Sequence, residues 1–309
     1  MSKTIVSVRG FRKRYGETLA VKGISFEVRE GEIFALLGPN GSGKTSTLES
    51  LEGLRHPDGG SLSIAGIDPS RQVRKLQGII GVQLQTSALP AAMTVDEAMN
   101  FFSSYHGVAA RNDLAERLGL EEKRHTQYVN LSVGQQKRLA FIIAIAHEPQ
   151  VLFLDEPTAG LDVRSRTDLH VLIGDLRQKG TTVILATHDM AEAQKLADRA
   201  AILLRGEIAA MGSPRQLTAA GNRLTRISVG TENGSLLGRA IEVPGGVAKG
   251  CENGYALFVS ESPGTAVSAI LDWIERAGDT LCDLRVERPT LEERFLEITS
   301  ENSRKGAEV

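Results

Sequence analysis

The sequence predicts an α/β fold built on a mostly parallel core sheet, with a helical insert and a small C-terminal α+β unit. Three observations carry that reading. Between residues 151 and 204 short apolar runs alternate with an amphipathic helical stretch, the strand–helix–strand rhythm of a parallel sheet. An alanine-rich, helix-favouring tract, about residues 86–146, comes before them. From about Asn222 the order changes to roughly β-β-α-β-α, which marks a second unit.

Taken in order, residues 5–8, 24–28, 33–37 and 61–64 read as strands, and His56-Pro57-Asp58-Gly59-Gly60 is a turn before the last of them. After Lys44 the pattern turns helical, with Leu48, Leu51 and Glu52 ahead of a stop at Gly53. The insert contains a capping box, Thr94 with Glu97. Strand character returns at residues 151–154, 182–186 and 200–204, with a helix over 164–178 between the first two. In the second unit a helix over 265–277 gathers Val267, Ile270, Leu271 and Ile274 on one face. A second capping box, Thr290 with Glu293, precedes Leu291, Phe295 and Ile298 at helical spacing. The expected organisation is a first domain over 4–218, an accessory domain over 222–300 and a flexible tail over 301–309.

Composition excludes several classes. A chain of 309 residues buries a core without staples. With 36 basic against 38 acidic residues, net charge −2, no overall field draws it to nucleic acid or anionic lipid. Cys251 and Cys282 are far apart and lack a C-x-x-C pattern, which argues against a disulfide framework or zinc site and fits a reducing cytosol. No apolar run approaches the roughly 20 residues that cross a bilayer, and the first residues do not read as an export signal. Glycine is the exception to this ordinariness, at 32 residues.

Part of that excess is explained by Gly38-Pro39-Asn40-Gly41-Ser42-Gly43-Lys44-Thr45, which fits G-x-x-x-x-G-K-[ST] between a strand and a helix. Its glycines let backbone N–H groups turn inward around phosphate oxygens, and the helix N-terminus adds positive potential. Lys44 is expected to neutralise the β- and γ-phosphates, Thr45 to bind Mg²⁺, and Ser46 to extend the loop. Val151-Leu152-Phe153-Leu154-Asp155-Glu156 is a buried strand that delivers Asp155 to a metal shell and sets Glu156 beside an attacking water.

Leu131-Ser132-Val133-Gly134-Gln135 begins its serine 23 residues before Asp155 and resembles LSGGQ, the signature of ABC ATPases. With the glycine loop, Asp155-Glu156 and Ala159-Gly160-Leu161-Asp162 it makes an ordered set over about residues 4–218, similar to the ATPase subunit of an ABC transporter. That resemblance implies a P-loop NTPase fold of ABC type, whose mostly parallel core sheet is joined by an antiparallel β subdomain, with ATP and Mg²⁺ as cofactors. It also implies a head-to-tail homodimer in which Ser132, Gly134 and Gln135 meet the γ-phosphate on the opposite subunit. Val133 stands where the signature has glycine. By place in the motif order Tyr15 resembles the aromatic that stacks on adenine, and His188 the switch histidine at the γ-phosphate. Gln85, taken over Gln83 as the residue that ends the strand, resembles the glutamine joining metal site to helical insert. Asp162 resembles the residue that passes the state of one site to the other. The remaining histidines, His56, His106, His125, His147 and His170, lack metal-ligand spacing and read as solvated or helix-surface residues.

Residues 286–295 resemble the C-terminal segment of ABC-2 export ATPases, including the daunorubicin-resistance group, which implies an exporter. The membrane role then belongs to an integral membrane permease partner, met near residues 86–102 from the cytoplasmic face. Two other classes compete: a soluble ABC ATPase acting on ribosomes or nucleic acid, and a nucleotide-dependent regulator without turnover. The first fuses two cassettes or inserts heptad coiled coils, and this chain has one cassette and no sustained heptads. The second does not require Asp155, Glu156 and His188 together.

Overall fold

A computed structural model describes residues 3–85, 88–221, 224–237 and 242–305. The chain divides into two compact units, residues 1–214 and 215–309.

The first unit opens with the long hairpin β1 (Thr4–Tyr15) and β2 (Thr18–Arg29). Both strands outrun the short apolar runs that foretold them. Register shifts between Val8 and Arg14 carry the pairing past the basic residues Arg9, Arg12, Lys13 and Arg14, whose polarity breaks the apolar alternation. β3 (Ile33–Leu37) is buried at every position and leads into α1 (Lys44–Leu51). β4 (Gly59–Ile64) pairs antiparallel with β1, which completes a three-stranded sheet. After α2 (Val73–Gln77), β5 (Ile80–Gln83) enters the main sheet.

The insert supplies α3 (Val95–Tyr105), α4 (Asn112–Arg117) and α5 (Val133–Ile145). Thr94 and Glu97 form the reciprocal capping box at the start of α3. Expected insert positions 86 and 87 lie outside the described residues. β6 (Val151–Asp155), α6 (Val163–Gln178), β7 (Thr182–Thr187), α7 (Met190–Leu196), β8 (Arg199–Leu204) and β9 (Glu207–Gly212) follow. The main sheet has the order β5-β6-β7-β3-β8-β9, parallel throughout except for β9 against β8.

Both faces of this sheet are covered, so β3, β6 and β7 read as unbroken apolar runs. On one face Leu139, Phe141 and Ile142 of α5 pack with Leu152 and Leu154; on the other Phe34 and Leu36 meet Leu48, Leu51 and the antiparallel sheet. Phe26 stacks on Phe34 at 5.1 Å, which ties β2 to β3. Each such buried side chain contributes roughly 1.5–3 kcal/mol. Among the described residues no helix is long and apolar enough to cross a membrane.

α8 (Pro214–Ala219) falls at the division between the units. The second unit holds β10 (Thr225–Thr231), β11 (Gly246–Glu252), β12 (Tyr255–Ser260), α9 (Pro263–Arg276), β13 (Leu281–Glu287) and α10 (Leu291–Lys305). Its antiparallel sheet has the order β11-β12-β10-β13, and Ala266, Ile270 and Ile274 of α9 pack against Ile227, Val229 and Phe258. β11 is a strand more than the β-β-α-β-α reading allowed: it lies at the sheet edge and is largely exposed, so it carries no apolar pattern. α10 continues to Lys305, into the segment read as a tail; residues 222, 223 and 306–309 of the expected boundaries lie outside the described residues.

Candidate functional site

The site grows from the C-terminal edge of the parallel sheet. β3 ends at Leu37, and the loop of residues 38–43 turns the chain into α1. Gly43 is the N-cap of α1 at φ 106°, where a Cβ would lie 3.0 Å from the Ala20 carbonyl oxygen, so only glycine fits. Lys44 runs back along the loop and donates from Nζ to the carbonyls of Gly38 (2.6 Å) and Pro39 (3.2 Å). Burial pulls its ammonium below the usual lysine range, while Glu156 and Asp155 work in the opposite direction. The buried Ser42 hydroxyl has no hydrogen-bond partner among the described residues.

β6 lies between β5 and β7 and brings two carboxylates to the same edge. Asp155 Oδ2 accepts from Thr45 Oγ1 at 3.1 Å. Burial raises its pKa above the usual carboxylate range, and the Thr45 hydrogen bond opposes that shift. Glu156 follows at φ 49°, a left-handed conformation that costs a non-glycine residue of order 1–3 kcal/mol. Its surroundings hold it there. Its N–H donates to the Ala186 carbonyl (2.9 Å), and its own carbonyl accepts from Lys137 Nζ of α5 (2.9 Å). The carboxylate meets His188 twice, through the main-chain N–H (3.1 Å) and ring Nδ1 (2.7 Å). Thr187 Oγ1 donates to its second oxygen at 3.5 Å and accepts from Asp189 N–H at 3.0 Å.

A cavity of about 160 Å³ is lined by Ala20, Asn40, Gly41, Ser42, Gly43, Lys44, Thr45, Ser46, Gln85, Asp155 and Glu156. Gln85 is exposed here, but it does not end the strand: β5 stops at Gln83, whose side chain is buried. The reason for preferring Gln85 is therefore corrected, since its place follows from lying two residues beyond the sheet edge. Tyr15, at the end of β1, donates from Oη to Ser46 Oγ (3.2 Å), and Lys13 and Arg55 flank its ring at 5.5 and 5.3 Å. The donor set suits an anion and a hard cation together: a buried ammonium, a helix N-terminus, the Thr45 hydroxyl and two carboxylates.

Eight candidates do not line this cavity: Tyr15, Gly38, Pro39 and His188 are bonded to residues that do, and the other four are Ser132, Gly134, Gln135 and Asp162. Ser132 and Gln135 form a reciprocal capping box at the start of α5, with Ser132 Oγ accepting from Gln135 N–H (3.2 Å) and Gln135 Oε1 accepting from Ser132 N–H (2.9 Å). Among the described residues the Ser132 hydroxyl serves only as an acceptor, and its proton has no partner there. Gly134 packs near Leu161, where a Cβ would lie 3.4 Å from that side chain, and Val133 points outward, 62% exposed. Asp162 caps α6 by accepting from the N–H and hydroxyl of Ser165 at 2.9 and 2.8 Å.

Two histidines correct the expectation that they are solvated. His170 is buried on α6 and bonds Glu192 of α7 at 3.2 Å, while His147 is half-buried and stacks on His106 at 3.8 Å. Lys137 and Thr187 were not singled out from sequence, and no local pattern marks them, because each is defined by Glu156, distant in the chain. Glu52 was read only as part of the α1 pattern, and its burial is set by the packing around it.

Comparison with known proteins agrees with this geometry. The family described as "ABC transporter" matches residues 21–159. A Nod factor export ATP-binding protein I from Burkholderia orbicola is 39% identical over 70% of this chain and 73% of its own length. A daunorubicin resistance ATP-binding protein from Streptomyces coeruleorubidus is 32% identical over 98% of both chains. Among solved structures, an ATP-binding subunit of an ABC transporter superposes with TM-score 0.67 at 25% identity, over 70% of this chain and 93% of that one. A bacterial ABC transporter cassette solved as a dimer does so with TM-score 0.62 at 26% identity, over 68% and 98%. With the phosphate loop, the paired carboxylates and the signature helix in place, this chain belongs to the ABC transporter family as an ATP-binding subunit.

Proposed function

We infer that this chain is the ATP-hydrolysing subunit of an exporter, coupling ATP binding, dimer closure and hydrolysis to passage of a substrate through a separate membrane permease. One observation carries the reading. Lys44, Thr45, Asp155 and Glu156 share one cavity, whereas Ser132, Gly134, Gln135 and Asp162 lie outside it. On this reading a single protomer holds half of each of two sites, and a head-to-tail homodimer over two ATP molecules brings the halves together. The dimeric cassette among its structural neighbours supports this arrangement.

In this reading the loop of Gly38, Pro39, Asn40, Gly41, Ser42, Gly43, Lys44, Thr45 and Ser46 holds the triphosphate through backbone N–H groups and the Lys44 ammonium. Tyr15 stacks on adenine. Thr45, Asp155 and Gln85 are the oxygen donors that hold Mg²⁺, which when bound neutralises phosphate charge. The Glu156 carboxylate takes a proton from the attacking water, worth about 10²–10⁴-fold in rate, and His188 orients that carboxylate and reaches the γ-phosphate. The export direction is supported by the two relatives, one named for Nod factor export and the other for daunorubicin resistance. The chain then sits on the cytoplasmic face of a membrane, held by its permease, with no nucleic-acid partner.

Glu156→Gln tests the core of this. With ATP and Mg²⁺ the variant is expected to run as a dimer on size exclusion while the wild-type chain returns to monomer. A variant that stays monomeric at saturating ATP refutes the shared-site mechanism. Recovery from membranes with ribosomal or nucleic-acid partners, in place of an integral membrane protein, refutes the transport role.

A further inference from the structure

Buried carboxyl oxygens without a hydrogen-bond partner among the described residues belong to Glu52, after α1, and to Glu192 of α7. Glu192 is 2% exposed, and its other oxygen bonds the buried His170 of α6 at 3.2 Å. Its charge acts on a cation of a third helix, Lys137 of α5. This lysine is half-buried, and its one hydrogen bond among the described residues goes to a main-chain carbonyl, that of Glu156 (2.9 Å). Burial pulls its ammonium below the usual lysine range, while Glu156, Asp155 and Glu192 favour the charged form. Holding an ammonium part-buried against one neutral acceptor is costly, and a methionine of similar length would pack there without that cost.

The carbonyl it holds is a joint in the chain. It also accepts from the Ala159 N–H at 3.3 Å, and it belongs to a residue at φ 49°, a conformation that persists only where the surroundings impose it. From Glu156 the segment runs to Asp162, the cap of α6. α5 meets this segment a second time nearer its start, where a Cβ on Gly134 would lie 3.4 Å from Leu161. Lys137 stands five residues past Ser132, about 7.5 Å along the helix axis. One short stretch of helix thus joins the Ser132 hydroxyl at its head to the main chain of Glu156 on its flank. Without Lys137 that carbonyl keeps only the longer of its two bonds, and the peptide after Glu156 is free to turn.

We propose that Lys137 is a positioning residue for Glu156: it fixes the peptide after Glu156 so that the carboxylate faces the attacking water, and it carries the seating of α5 on an opposite subunit back to the base of its own. The proposal rests on the function inferred above, which makes Glu156 the base and Ser132 a contact across the dimer. Displacing a reacting group by 1 Å costs about 10²-fold in rate. Lys137 does not line the nucleotide cavity, so its loss falls on turnover and not on nucleotide binding.

The test uses the full chain with Lys137→Met, close in length, and Lys137→Arg, which keeps a charged donor. Kinetics with ATP and Mg²⁺ are taken at a temperature where circular dichroism shows every variant folded. Lys137→Met is expected to lower kcat at least tenfold with KM and the affinity for a fluorescent nucleotide unchanged, and Lys137→Arg to keep kcat near the wild-type value. A second readout does not use turnover. In the Glu156→Gln background ATP is expected to give a dimer whether or not Lys137→Met is added. Amide exchange over residues 156–162, read by mass spectrometry, is expected to slow in that dimer when Lys137 is present and not when methionine replaces it. A wild-type kcat in Lys137→Met, a raised KM in place of a lowered kcat, or failure of arginine to keep turnover overturns the proposal and leaves the inferred function standing. Loss of the ATP dimer in the double variant, or equal exchange in the two dimers, does the same. Failure of Glu156→Gln alone to dimerise with ATP overturns both.

Discussion

Replacing Glu52 by glutamine should change how the stability of the protein depends on pH, and the structure sets the size of the change. Burial, with Asp155 of β6 and Glu49 of α1 nearby, pushes the Glu52 carboxyl up from its usual 4.5 to about 8. The folded chain therefore keeps this proton between about pH 4.5 and pH 8 while the unfolded chain gives it up. Stability must fall as pH rises through that window. At 1.36 kcal/mol per pKa unit the full loss is about 5 kcal/mol, of which about 4 kcal/mol accrues between pH 5 and pH 8. Glutamine has no proton to lose, so the variant should match the wild type near pH 5 and exceed it by pH 8. Other groups around Glu52, namely Glu49, Asp155, His106, His147 and Arg55, are shared by both proteins, so the difference curve isolates position 52. Urea unfolding in nucleotide-free buffer with chelator, followed by circular dichroism, measures it. The only tryptophan, Trp273, lies in the second unit, and its fluorescence reports that unit separately. Parallel stability curves for the two proteins from pH 5 to pH 8 would refute the assignment of Glu52 as a buried, unpaired acid.

Three further perturbations follow from the geometry. Gly81→Ala places a Cβ 2.0 Å from the Ala144 carbonyl oxygen and 2.9 Å from Pro149, so forced separation of β5 from α5 should cost about 1–3 kcal/mol or more, read as a lower urea midpoint; an unchanged midpoint contradicts the packing. Lys44→Ala removes the ammonium that bridges Gly38 and Pro39 and should weaken ATP binding at least tenfold in a fluorescent-nucleotide titration, whereas unchanged affinity removes the loop from the site. Ser132→Ala deletes the α5 cap and should cost about 1 kcal/mol of stability, yet ATP turnover should fall at least tenfold at a temperature where the variant is fully folded; retained turnover would confine Ser132 to capping.

What was legible in the sequence is what chain-local physics controls. β3 coincides with its apolar run, the boxes Thr94/Glu97 and Thr290/Glu293 form as their spacing requires, and Lys44, Thr45, Asp155 and Glu156 meet because the strand–loop–helix and strand-edge patterns fix where each emerges. What was not legible depends on partners remote in sequence. β11 exists because Val247, Ala248 and Cys251 pair with β12, not because of any pattern of its own. His170 looked like a surface residue of an amphipathic helix until α7 brought Glu192 against it. Lys137 lies five residues past Ser132, and nothing local says that its ammonium will reach the Glu156 carbonyl.

The reciprocal cap of Ser132 and Gln135 bears on kinetics as well as structure. Because each residue already satisfies the other's backbone N–H, the start of α5 is rigid before any second subunit approaches. Little side-chain freedom is left to lose on association, which lowers the entropic barrier. In the proposed dimer, encounter of two nucleotide-loaded chains would then proceed at rates set by diffusion and orientation rather than by folding of the contact surface. The timing of closure would accordingly be governed by nucleotide occupancy, with the signature helix acting as a preformed latch.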